Sequence, residues 1–379
     1  MQKKTDFIKK YIPLVLAVLM VFSCCMVLAG CGSGGASSKD VAMQTVTDMD
    51  GREVSIPEDP QRVACIYSSA AHMMAMLDET EKIVAVPDGV KSDELMKMKI
   101  DGLENLSAPM QDNDLNVEEI MDIRTDLIIV KRDQLLGIGQ MEKLEKAGIP
   151  WIVVDYESID ELWQCIDLMG DIFKDEEKAD AYIAFAKATI ADVQERVAVT
   201  DGDNAEAGSA ARPKVYHSVN EAIRTDETDG ICREIMEAAG VTDISADKEL
   251  STDGNKTYAT IEEIYNWDPD GIIANESSVT EYILGDAKWA GLRAVKDGKV
   301  YTLPVGATRW CHPGSMEPHM GVLAVAAKFY PEAFSDFDMK EYVRAYYRDY
   351  FGLDLDDDTI DNILKGEGMR KSNDAERKI

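Results

Sequence analysis

NVEEIMDIRTDLIIV, residues Asn116–Val130, reads as a short helix (Val117 to Ile123) leading into a strand (Leu127 to Val130). The strand is a continuous apolar run, the pattern of a strand covered on both faces in a parallel sheet. A second stretch, TIEEIYNWDPDGIIA (Thr260–Ala274), lies over the first without a gap. Glu118 matches Glu262, Glu119 matches Glu263, and Ile120 matches Ile264. Asp126, Ile128 and Ile129 match Asp270, Ile272 and Ile273. A helix–turn–strand unit repeated at this distance points to two lobes of related design.

Working outward, strands and helices alternate on both sides of each unit. Val46 to Ile56 is a short strand pair with Asp50-Gly51 at its turn. Strands are expected at Arg62 to Ile66, Ile83 to Val86 and Trp151 to Val154, with helices at Ala70 to Leu77 and Met141 to Ala147. After a long helical stretch the alternation restarts, with strands at Lys214 to His217, Gly271 to Ala274 and Val300 to Pro304. Helices are expected at Gly230 to Ala239, Ile261 to Trp267, Gly321 to Phe329 and Met339 to Tyr350. The fold class is α/β, built on parallel sheets covered by helices. The long helix runs from about Asp175 to Val197, roughly 35 Å at the helical rise.

The chain opens on Lys3, Lys4, Lys9 and Lys10, followed by an apolar run from Leu14 to Leu28. That run falls short of the roughly 20 apolar residues of a membrane span and has the layout of a secretory signal. It ends in Leu28-Ala29-Gly30-Cys31, which resembles a bacterial lipobox. The resemblance implies cleavage before Cys31 and attachment of a lipid to its thiol. The expected organisation is a signal peptide over 1–30, a flexible tether over 31–45, an N-terminal lobe over 46–174 and a long helix over 175–199. A loop over 200–212, a C-terminal lobe over 213–366 and a charged tail over 367–379 complete it. The formal net charge is −31, and loss of the basic leader makes it more negative. Such a surface excludes nucleic acid and anionic lipid as partners, though not an anionic ligand held in a pocket. Cys65, Cys165, Cys232 and Cys311 lack the close spacing of a zinc motif. Disulfides, for which three full pairings exist, and buried free thiols both stay open.

Five stretches, in this order and spacing, resemble the ABC-importer substrate-binding proteins for ferric siderophores, haem, cobalamin and some oxyanions. They are Val46–Ala71, Asn116–Val130, Leu144–Asp155, Thr260–Ala274 and Trp289–Pro304. The resemblance covers about Val46 to Phe351. It implies two Rossmann-like lobes bridged by a single long α-helix, with a ligand cleft between the lobes. It also implies a monomer anchored by lipid on the extracytoplasmic face of the cell membrane, serving a permease and its ATPase. A ferric siderophore is the first expected cargo, with haem, cobalamin, or molybdate or tungstate as alternatives. The ligand itself can carry iron, cobalt or molybdenum; no further cofactor is expected. One departure is Leu77-Asp78, where the family has Leu-Gly.

Ligands of open α/β sheets sit outside the carboxyl ends of the strands, which selects the candidate residues. Tyr67, Ser68, Ser69 and His72 follow the first strand, with Ser69 expected at a helix N-terminus as an anion site or a plain cap. Lys131 and Arg132 follow Leu127 to Val130, His217 ends its strand, and Asn275 follows Gly271 to Ala274. The segment Gly306–Gly314 clusters Arg309, Trp310 and His312: a planar donor fork, a stacking face, and a group that coordinates metal or donates to oxygen. A bare-metal site built on His72, His217 and His312 is the lesser reading. In the resembled family a Glu on each lobe pairs with Arg of the permease. That role falls on Glu118 and Glu262, with Glu119 and Glu263 as the competing neighbours. No nucleophile elbow, phosphate loop or Cys-x-x-Cys is present, so binding is expected rather than catalysis. A metal-binding enzyme and a purely structural lipoprotein are the different-class alternatives.

Overall fold

The computed structural model describes residues 42–111, 114–132, 138–203, 212–226, 230–254 and 256–369. The leader, Cys31, most of the tether and residues 370–379 therefore lie outside the described residues. Ala42–Ile379 forms one compact unit. Among the described residues no helix is long and apolar enough to cross a membrane.

Strands β1 (Met43–Thr47) and β2 (Glu53–Pro57) pair antiparallel. The buried Asp48 closes their turn by accepting from the Asp50 and Arg52 amides, at 3.1 and 3.0 Å. Its second oxygen accepts from Val153 N at 3.0 Å, which ties the hairpin to the first sheet.

That sheet contains β3 (Val63–Cys65), β4 (Ile83–Ala85), β5 (Leu127–Val130) and β6 (Trp151–Val153), in the order β4-β3-β5-β6 and all parallel. Helices α1 (Ser68–Met76), α2 (Val117–Asp122), α3 (Ile138–Ala147) and α4 (Ile159–Phe173) accompany it. Helix α5 (Glu176–Asp203, 28 residues) follows. The second sheet contains β7 (Lys214–Ser218), β8 (Thr242–Asp243), β9 (Gly271–Ala274) and β10 (Val300–Thr302), in the order β8-β7-β9-β10 and again all parallel. Its helices are α6 (Ile231–Ala238), α7 (Ile261–Trp267), α8 (Ser277–Gly285), α9 (Pro318–Phe329), α10 (Met339–Phe351) and α11 (Asp357–Lys365).

Both sheets thus place their strands in the same 2-1-3-4 order. The sequence repeat falls on the same place in each, the helix and strand that enter position three. Ile129 pairs with Cys65 and Ile273 with His217, so the two registers correspond. The repeated Asp has the same task in both lobes. Asp126 accepts from the Gln61 and Arg62 amides at 2.9 Å each, and Asp270 accepts from Lys214 N at 2.8 Å. Each carboxylate pins the start of strand one to the start of strand three.

Helix α4 is absent from the sequence reading above. Ser158 caps it by accepting from Glu161 N at 3.1 Å. Leu162, Trp163, Ile166, Met169, Ile172 and Phe173 are buried along its inner face. Helix α5 packs on α4 and on α9. A β-carbon on Gly170 of α4 would lie 2.7 Å from Ala179 Cβ of α5, so this crossing needs glycine. A single apolar core runs from Val63 of the first sheet through Ala186 of α5 to Val325 of α9. The chain also returns to the first lobe at its end. Lys99 Nζ donates to Phe351 O at 2.7 Å, and Glu94 N donates to Met369 O at 3.0 Å. Met369 is buried, so the chain is still packed against the first lobe at that residue.

Candidate functional site

In a 2-1-3-4 sheet the chain leaves strands one and three in opposite directions. A crevice opens outside their carboxyl ends, and ligands of such sheets bind there. In the first lobe this point lies between β3 and β5, where Tyr67, Ser68, Ser69 and Lys131 emerge. In the second it lies between β7 and β9, where Asn220, Asn275 and Glu276 emerge.

The segment after β10 joins the two sets. Ser69 Oγ donates to Gly314 O at 3.0 Å and accepts from Tyr156 OH at 3.1 Å. His312 Nε2 lies 3.5 Å from Asn220 Nδ2. The rings of Tyr67 and Tyr156 are 6.3 Å apart. Arg309 donates twice to Glu276 Oε1, from Nε at 3.0 Å and from Nη2 at 2.5 Å. The site therefore gathers Tyr67, Ser69, Lys131 and Tyr156 from one lobe with Asn220, Glu276, Arg309 and His312 from the other. It offers hydroxyl, amide and cationic donors, a set suited to an oxygen-rich ligand. Burial raises the Tyr67 pKa, against hydrogen bonds from Ser69 and Tyr156 and the Lys131 charge. Burial also raises the Asp155 pKa, against Lys131 and Arg132.

The 306–314 segment is held from behind. Glu317 is fully buried, and its carboxylate accepts from Thr308 N at 2.6 Å, Thr308 Oγ1 at 2.8 Å and Tyr347 OH at 2.5 Å. Tyr182 of α5 donates to Met316 O at 2.6 Å. Gly321 of α9 lets the segment press onto the helix: a β-carbon there would lie 2.2 Å from Trp310 O.

Several expected site residues sit elsewhere. Trp310 is completely buried and packs in the core, so it presents no stacking face. His72 is also fully buried, one turn into α1, with Nε2 at 3.1 Å from Asp93 Oδ2. It does not converge with His217 and His312. Ser69 caps no helix, because its hydroxyl is used across the cleft and Tyr67 holds the N-cap position. Ser68 is partly exposed beside it. Arg132 points away toward the hairpin, with Nε at 2.6 Å from Asp50 Oδ1. His319, which is not among the expected site residues, is sequestered on α9 and lies edge-on to Tyr182, Phe185 and Tyr346.

His217 and Asn275 lie one layer below the cleft in a cluster the sequence reading did not assemble. His217 Nδ1 is 2.5 Å from Asp226 Oδ2, and its Nε2 is 3.2 Å from Asn275 Oδ1. Cys311 Sγ is 4.0 Å from His217 Nδ1. His217, Cys232 and Cys311 place their donor atoms within 4.8 Å of one another, all buried. The hydrogen bond with Cys232 leads in lowering the Cys311 pKa to about 7, against burial and helped by His217. Burial raises that of Cys232. Burial opposes charge on His217, yet Asp226 and Cys311 outweigh it and raise its pKa.

The matched acidic pairs also separate. Glu119 accepts from Ser107 Oγ at 2.5 Å and Asn116 Nδ2 at 3.2 Å, and Glu263 completes a capping box with Thr260. Glu118 and Glu262 project into solvent on the first turns of α2 and α7.

A surface hollow of about 430 Å³ lies apart from these residues, lined by Lys214, Arg233, Thr242, Lys248 and Trp267 among others. It sits at the amino-terminal ends of β7 and β8, the opposite side of the sheet from the switch point. The geometry of parallel sheets therefore favours the strand-end cluster over the hollow as ligand site.

Similarity to known proteins follows the same frame. The molybdate-binding protein MolA of Haemophilus influenzae is 24% identical over 86% of this chain and 95% of its own length. Its molybdate-bound structure superposes with a TM-score of 0.69 at 22% identity, covering 83% of this chain and 99% of that one. The Bacillus subtilis ABC transporter substrate-binding lipoprotein YvrC is 22% identical over 82% of this chain and 95% of its own. The iron(3+)-hydroxamate-binding protein YxeB of the same species is 24% identical over 50% of this chain and 54% of its own. The family described as periplasmic binding protein matches residues 63–305. With that match across most of both lobes, the chain belongs to the periplasmic binding protein family, the solute-binding components of ABC importers.

Proposed function

We propose that this protein is a lipid-anchored receptor, tethered through Cys31 on the outer face of the cell membrane, that captures an oxygen-rich anionic metal-bearing ligand and hands it to an ABC permease with its ATPase. The observation that carries the ligand class is the meeting of Tyr67, Ser69 and Lys131 with Arg309 and His312 outside the switch points of the two sheets. A ferric siderophore is the first reading. Hydroxyl, imidazole and guanidinium donors suit the oxygens of such a chelate, and a relative carries iron(3+)-hydroxamate in its name. Molybdate is the second, favoured by the similarity to MolA over nearly the whole of that protein. The chain acts as a monomer and turns nothing over.

Titration of the full-length, detergent-solubilised chain with ferric hydroxamates, haem, cobalamin and molybdate, read by native mass spectrometry, tests this. One ligand per chain, returned unaltered, is the expected result. Chemical conversion of the ligand, or no complex with any member of the panel, would overturn it.

Delivery rests on Glu118 and Glu262. Their neighbours Glu119 and Glu263 are engaged in holding their own helices, which leaves the exposed pair as the permease contacts. Replacing both by Ala is expected to cut uptake at least about tenfold, since each charged hydrogen bond contributes roughly 1.5–3 kcal/mol. Ligand affinity stays unchanged. Normal uptake by the double variant would remove this role.

A further inference from the structure

We infer that His217, Cys232 and Cys311, with Asp226, form a binding site for one thiophilic divalent cation, zinc by preference, in the floor of the ligand cleft. The nitrogen and sulfur donors come from three parts of the second lobe, namely β7, helix α6 and the segment that carries Arg309 and His312, and Asp226 follows the short strand Arg224–Thr225. Zinc takes thiolate at about 2.3 Å and imidazole at about 2.0 Å, which sets tetrahedral donors roughly 3.5–4 Å apart. Here Cys311 Sγ and His217 Nδ1 stand 4.0 Å apart, and the whole triad lies within 4.8 Å. Closure onto an ion asks for movements under about an ångström on that scale.

The surroundings fit the same reading. His217 Nε2–H donates to Asn275 Oδ1 at 3.2 Å, which leaves Nδ1 as the metal-facing nitrogen. Asp226 Oδ2 sits 2.5 Å from that nitrogen, while its buried Oδ1 has no hydrogen-bond partner among the described residues. The carboxylate stands beside the triad rather than within it and would move in as the fourth donor. On binding, the cation replaces the thiol protons of Cys232 and Cys311 and the Nδ1 proton shared with Asp226. Two thiolates, a carboxylate and a neutral imidazole favour zinc over hard cations such as magnesium or calcium. The ion would fasten the 306–314 segment to β7 and α6, fixing Arg309 and His312 independently of which ligand the cleft receives.

The test is metal analysis of the full-length chain isolated without chelator and with air excluded, followed by cobalt(II) substitution. One zinc per chain is expected, and the cobalt form should show thiolate-to-metal charge transfer with the intense visible bands of tetrahedral cobalt. Cys232→Ser and Cys311→Ser should each weaken the charge-transfer band, and the double variant should abolish it. If either variant fails to fold, alkylation of the wild-type chain decides instead: bound zinc should shield both thiols, and a chelator should expose them. Metal content well below one per chain without a charge-transfer band overturns the site, whether the thiols are then free or joined as a disulfide. So does a charge-transfer band of undiminished intensity in both single variants, or one that persists in the double variant.

Discussion

On the proposed function, Arg309 serves both stability and binding. Its guanidinium meets Glu276, and both are largely withdrawn from water, with side-chain exposures of 19% and 9%. Arg309→Ala alone removes the guanidinium that Glu276 meets, and breaking a buried pair costs roughly 3–5 kcal/mol. A loss of binding in that variant would confuse folding with recognition. Removing both charges, as Arg309→Ala with Glu276→Ala, separates them: thermal unfolding is expected to recover much of the loss while affinity for an anionic ligand stays reduced. Full recovery of affinity would place the ligand elsewhere. His319 makes a different residue-scale prediction. Burial alone lowers its pKa from 6.5 to about 3. As pH falls below 6.5 the unfolded chain takes up a proton that the folded chain refuses. Stability is therefore present above pH 6.5 and is lost toward pH 3, by at most about 1.4 kcal/mol per unit. His319→Phe keeps a ring among Tyr182, Phe185 and Tyr346 and removes that proton. Its urea midpoint is expected to fall less steeply than that of the native chain between pH 6.5 and 5; equal slopes would contradict this.

Among the elements, the junction of α9 with the 306–314 segment is the most exacting. Gly321→Ala would bring a methyl to 2.2 Å from Trp310 O, so the segment must move. The expected cost is about 1–3 kcal/mol of stability, read as a lower denaturant midpoint, with weaker ligand binding because Arg309 and His312 move with their backbone. Unchanged affinity would show that the segment does not form the site. Legibility in the sequence varied with the physics of each element. Strands Leu127–Val130 and Gly271–Ala274 were visible to the residue because a doubly covered strand is an unbroken apolar run. Helix α4 carried a helical apolar stripe from Leu162 to Phe173, yet it stands directly before the longer α5 and went unread. Asp78 was read as a departure from Leu-Gly at a cap. It adopts φ +62°, the left-handed conformation glycine takes easily, while its carboxylate holds Lys99 and Lys178.

At the scale of the molecule, the repeated unit told of two lobes before the sheets were seen, and their common strand order carries that correspondence into three dimensions. The strand-end rule picks out Tyr67, Ser69 and Lys131, which lie beside the first switch point, and the unusual Gly306–Gly314 segment adds Arg309 and His312. What could not be read was depth. Trp310 and His217 share those segments but point inward, because neighbouring side chains along an extended segment face opposite sides, and His72 faces the core from the first turns of α1. The approach of His217, Cys232 and Cys311 was equally hidden, since residues from three separate elements leave no spacing motif. On the proposed function, ligand is held between the strand ends of both lobes. Hydrogen exchange by mass spectrometry, with and without saturating ligand, tests it most directly. Slowed exchange in both the 67–72 and the 306–314 segments is predicted, with the hollow around Lys214, Arg233 and Thr242 unaffected. Protection confined to one lobe, or centred on that hollow, would contradict it.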